Sequence, residues 1–149
     1  GEQRFGPSVL IRRGSERLLI DAGWCVGIRL VQAGESPGKV NPIFITHHHL
    51  DHISDLADVL VTSWLYGRQD EMVVYGPSGT RKIVDALMNV VYAKDIRWRS
   101  EGELNLGGWK PVRAVDLEPG QSIDTDTWRV TCAEMVHGHG LGFAEDFLV

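Results

Sequence analysis

Four of the chain's six histidines fall within residues 47–52 of the stretch FITHHHLDHISDL (44–56), and Asp51 stands between the last two. This arrangement narrows the local fold sharply. The apolar, β-branched run NPIFIT before it reads as a buried strand bounded by turn signals. After it, Ile53, Leu56, Ala57, Leu60, Val61 and Trp64 recur at helical spacing, so the period changes from two to about 3.6 and a helix of about three turns is expected. The histidines therefore occupy the loop between a strand and a helix, with His52 at the helix's first turn.

Alternation along a strand exit puts His47 and His49 on one side and turns His48 away from them, while Asp51 and His52 can face a neighbouring point once the helix begins. Imidazoles beside a carboxylate suit a borderline cation such as zinc, and other transition metals fit the same donor types. The plain alternative is a helix-capping surface turn. Nothing structural, however, calls for three consecutive imidazoles at the end of a strand. The remaining two histidines, His137 and His139, lie in MVHGHGLGF, again after an apolar run.

The rest of the chain supplies the frame. SVLIRR and ERLLIDAG flank Gly14 and Ser15, which reads as a hairpin, with Asp21 and Gly23 where its second strand runs out. Trp24 to Ala33 reads as a short helix ending at Gly34. MVVYG is a further strand, PSGT a turn, and Ile83, Ala86, Leu87, Val90 and Val91 mark a second amphipathic helix. Strand-like runs at Val112 to Val115 and Trp128 to Val136, among Gly and Pro, add antiparallel or mixed strands. Strands alternating with helices predict α/β layering.

Composition bounds the class. A chain of 149 residues, 43% apolar and 23% charged, buries roughly two-thirds of its extended surface and folds without a staple. The net charge of −5 gives no overall draw toward nucleic acid or an anionic membrane, and the apolar runs are too short to span a bilayer. Two cysteines, Cys25 and Cys132, form no recognisable framework, which fits a reducing, cytoplasmic setting. Arg81, Lys82, Lys94, Arg97 and Arg99 cluster in sequence, and a solvated helix face accounts for them as well as a phosphate-facing surface does.

In YGPSGT, Ser78, Gly79 and Thr80 precede a helix whose free amides could meet an anion. A turn with a helix cap is the plainer reading. The spacing and the lysine of a phosphate-binding Walker loop are missing.

THHHLDH fits the His-x-His-x-Asp-His signature and resembles the metallo-β-lactamase superfamily, most of all its branch of tRNA 3′-end processing ribonucleases, arylsulfatase-like and phosphodiesterase-like hydrolases. LLIDAG, VYGPSGT and HGHGLGF extend the resemblance along the chain. It implies an αββα sandwich, incomplete at the C-terminus, with residues 1–149 as the N-terminal portion of the domain. It further implies that His47, His49 and His137 ligate one metal and Asp51 and His52 a second, with Asp51 also catalytic. Asp21 would support the ligand loop, and His48 and His139 would back the site or face the substrate.

The implied cofactor is zinc, one ion or two, the second weak in this chain. Asp146 follows His137 too closely to stand for the family's later bridging aspartate. The implied function is a metal-dependent hydrolase that uses a zinc-activated hydroxide on a phosphodiester or another ester, with a small molecule or RNA as substrate. The resemblance implies no membrane partner and leaves homo-oligomers open. The competing expectation is a degenerate or truncated metal-binding domain without catalysis. A non-catalytic nucleic-acid-binding module is disfavoured by the acidic balance.

Overall fold

The computed structural model describes residues 5–102 and 108–135. The expected hairpin forms from β1 (Val9–Arg13) and β2 (Glu16–Ile20), paired antiparallel from Val9 against Ile20 to Arg13 against Glu16. Gly14 takes φ +56° at its turn, a conformation glycine adopts without a Cβ penalty. β3 (Ile43–Phe44), β4 (Met72–Gly76) and β5 (Val112–Asp116) then add in parallel, giving one five-stranded mixed sheet in the order β1-β2-β3-β4-β5. A hairpin of β6 (Ser122–Asp124) and β7 (Arg129–Thr131) forms a separate two-stranded sheet.

Side chains alternate across a strand, and here the alternation feeds two cores. Leu19, Ile43, Ile45, Met72 and Val74 point to one face, where they meet Val26, Leu30, Leu56, Val59, Leu60, Val84, Met88 and Ile96 from the helices. Leu18 and Phe44 point to the other, where they meet Leu117 and Cys132, with Ile20, Tyr75, Trp128 and Val130 packed around them. Phe44 stacks on Tyr75 at 4.9 Å between ring centroids and takes the edge of Trp128 at 5.9 Å. The molecule is thus layered as helices, mixed sheet and hairpin. Each large apolar side chain buried in this way contributes about 1.5–3 kcal/mol.

The helices are α1 (Val26–Gln32), α2 (Leu50–Ile53), α3 (Leu56–Leu65), α4 (Thr80–Ala86) and α5 (Ala93–Glu101), with a π turn at Leu87–Val91 between the last two. Two expectations are corrected. The single helix after the histidines is two, broken at Ser54 and Asp55, because the Asp55 carboxylate turns back to accept the Cys25 N–H at 2.6 Å. The apolar stripe expected to include Val90 and Val91 instead leaves them 74% and 62% exposed, and Met88 enters the core. The wide π turn shifts the register that a 3.6-residue period projects.

Arg68 is buried. It donates to Ser63 Oγ and to the carbonyls of Asp70, Lys110 and Pro111, and burial pushes its guanidinium down to about 10. These bonds pin the approach to β4 against the approach to β5. Among the described residues no helix is long and apolar enough to cross a membrane.

Candidate metal centre

All the histidines of the loop sit at the C-terminal ends of parallel strands, between β3 and α3. Asp21 ends β2, the strand beside β3, and holds φ +60°, an uncommon conformation that Asp tolerates better than most residues. This conformation aims its carboxylate at the neighbouring loop. The Asp21 carboxylate accepts the Thr46 backbone N–H at 2.8 Å, the Thr46 hydroxyl at 2.9 and 3.0 Å, and lies 2.7 Å from His52 Nδ1.

An ionised carboxylate only accepts, so His52 carries a proton on Nδ1. The Thr46 hydroxyl has one hydrogen and spends it on Asp21, so its contact with His47 Nδ1 at 3.0 Å is a bond donated by the imidazole. In their neutral forms both rings then carry their lone pair on Nε2. The three rings pack closely: His47 lies 3.9 Å from His52 and 4.6 Å from His49 between centroids. His47 is buried and His49 exposed. Asp51 is 66% exposed, with its Oδ2 3.7 Å from His52 Nε2.

Backbone bonds fasten the loop to the end of β2. The Ala22 N–H donates to the His52 carbonyl at 2.8 Å and the Asp55 N–H to the Ala22 carbonyl at 3.0 Å. Gly23 is required here by space: a Cβ would lie 2.4 Å from the Asp51 carbonyl oxygen.

His48 takes the opposite direction from its neighbours. Its Nε2 lies 2.8 Å from Thr80 Oγ1, at the start of α4. Thr80 is buried and its hydroxyl donates to the Pro77 carbonyl, whereas Ser78 is exposed. Of the basic residues clustered in sequence, Arg97 pairs with Glu101, Arg99 with Asp95 and Arg81 with Asp116.

The structure thus brings Asp21, His47, His49, Asp51 and His52 to the C-terminal end of the parallel strands β2 and β3, while His137, His139 and Asp146 lie outside the described residues. Among the described residues no three His, Cys, Asp or Glu side chains converge into a metal-holding group. On chemistry the donors fit a borderline cation, since acceptors behind His47 and His52 fix the tautomer a metal requires. Thr46 is the participant sequence reasoning passed over. Its place between a buried strand and the first histidine does not set it apart from any other β-branched residue at a strand exit.

Residues 1–125 match the family model described as the metallo-beta-lactamase superfamily. The chain belongs to the metallo-β-lactamase superfamily. Its helix, sheet and strand layers are those of a metallo-β-lactamase-like αββα sandwich. A ribonuclease Z from Mycobacterium sp. (strain KMS) is 33% identical over 137 residues, covering 91% of this chain and 48% of that protein. The chain spans about half the length of the curated relatives it matches. A crystal structure of a diphosphatase from the PhnP family superposes with a TM-score of 0.65 at 19% identity, covering 90% of this chain and 46% of the other. Human tRNase Z, short form, gives 0.62 at 24% identity, covering 86% and 51%. At those identities the two structures speak for the metallo-β-lactamase fold alone.

Proposed function

We propose that the chain is the N-terminal portion of a zinc-dependent hydrolase acting on a phosphodiester or another ester, with RNA processing as the specific version favoured by its ribonuclease Z relatives. In this reading His47, His49 and His137 hold one ion, and Asp51 and His52 the weaker second. When bound, zinc supplies a water acidic enough to be a nucleophile near neutral pH and an electrophilic contact for the substrate oxygen. The chain's own part is positioning. Asp21 and Thr46 fix the orientation of His47 and His52, and the exposed Asp51 carboxylate accepts a hydrogen bond from the attacking water. The observation that carries the reading is the array of donors converging on Asp21, because orienting imidazoles through Nδ1 serves a ligand at Nε2.

A second reading, a metal-binding domain without catalysis, is favoured by the lack of a three-donor group among the described residues. One experiment separates them. Metal content and turnover of bis(p-nitrophenyl) phosphate are measured for this chain and for a version extended to the length of its relatives, each with and without Asp51→Ala. The expected result is about one tightly held zinc in this chain, little turnover, and metal-dependent turnover in the extended form that Asp51→Ala abolishes. His137→Ala should lower zinc content far more than His139→Ala. Metal-loaded but inactive extended protein would favour the second reading, and absence of zinc binding from both forms would sink both.

A further inference from the structure

We infer that His48 is a positioning residue, a brace that fixes the metal-binding loop by bonding it to the first turn of α4. This inference rests on the metal reading above, and deepens it. Three consecutive histidines are more than a pair of same-sided ligands needs, and the middle one points elsewhere. His48 Nε2 lies 2.8 Å from Thr80 Oγ1. That hydroxyl donates its single hydrogen to the Pro77 carbonyl at 2.8 Å, so it accepts from His48, whose ring carries its proton on Nε2. His48 thus has the opposite tautomer to His47 and His52, and its Nε2 is committed to the protein.

The receiving end is rigid. Thr80 is 1% exposed, its own N–H also bonds to the Pro77 carbonyl at 3.0 Å, and a Cβ on Gly76 would lie 2.3 Å from its hydroxyl. His48 therefore meets a fixed oxygen at the end of β4. β4 is already joined to β3 next to the loop, through the Ile45 N–H on the Tyr75 carbonyl at 2.7 Å. The loop is held on both flanks: by Asp21 at the end of β2 and by Thr80 after β4. Loss of a hydrogen bond that orients a metal ligand typically costs about 10–100-fold in affinity, and the His48–Thr80 bond acts one step further out, on the backbone between His47 and His49.

The test uses two readouts on His48→Ala, His48→Gln, Thr80→Val, Thr80→Ser and the His48→Ala/Thr80→Val double variant. Zinc affinity is measured by competition with a chromophoric chelator. Amide hydrogen exchange of residues 46–53 is measured on the metal-free proteins. Loss of either partner should weaken zinc binding by about tenfold and speed loop exchange, with the double variant no worse than the more affected single one. His48→Gln, whose amide can donate at the same place, and Thr80→Ser, which keeps the hydroxyl, should stay close to the parent. Should Thr80→Val fail to fold, the comparison of His48→Ala with His48→Gln decides alone. Parent-like exchange in His48→Ala overturns the brace, as does a His48→Gln variant no better than alanine. A parent that binds no zinc overturns the metal reading, and exchange alone then judges the brace.

Discussion

At the scale of single residues the histidine loop is organised by Asp21, which gathers three donors: the Thr46 N–H, the Thr46 hydroxyl and His52 Nδ1–H. Every group it meets donates. Asparagine keeps the size and tolerates φ +60°, yet its NH₂ would face one of those donors with another. Asp21→Asn should therefore fold and still lose about tenfold or more in zinc affinity, approaching Asp21→Ala. Chelator competition checks this, and an asparagine variant with parental affinity would mean the carboxylate is not what orients the rings. That Asp21 belongs near the histidines was legible from its place where a strand ends. The route of the contact, through Thr46, was not, because a threonine at a strand exit looks like any β-branched residue. Likewise the turning away of His48 follows from alternation, while its bond to Thr80, 32 residues on, depends on which strands become neighbours.

Elements are tied at the far end of the sheet by Glu35, which follows α1. It is buried and receives Arg17 Nε at 2.6 Å and Arg12 Nη1 at 2.7 Å from the two strands of the first hairpin. Those two arginine hydrogen bonds, Arg17's foremost, hold its carboxyl below the usual range. A depressed carboxylate contributes stability that is complete above its unfolded pKa and is lost as pH falls through the folded one. Glu35→Gln should therefore lower Tm at neutral pH, with the difference from the parent vanishing under strongly acid conditions. A gap that persists unchanged at low pH would show that packing, not charge, is at stake. Most elements were legible from periodicity: the hairpin, β4, α1 and β5 stand where the apolar runs put them. The failures have local causes. β6 is a three-residue strand, too short to show a period. The helix after the histidines breaks where Asp55 answers a backbone N–H from another loop, and the π turn misplaced Val90 and Val91.

Across the whole molecule the sheet separates two cores, and the thinner one, under the β6–β7 hairpin, contains Cys132. This thiol is 3% exposed and burial pushes its pKa up, so its thiolate is scarce as well as shielded. Cys25 is partly exposed. Iodoacetamide under native conditions should modify Cys25 first, with Cys132 reacting only as denaturant releases the hairpin. Equal native rates would mean the hairpin does not stay seated on Leu18 and Phe44. The same two-faced sheet governs where the chain can change length. Adding or deleting one residue inside β2 or β3 would exchange the residues serving the two cores, and a change inside β3 would also exchange the sides that His47 and His48 face. Length variation is therefore confined to turns, and Gly14, Gly34 and Gly67, where an added Cβ would meet nothing within 4 Å, mark the joints where a homologue can gain or lose a residue without disturbing the histidine loop.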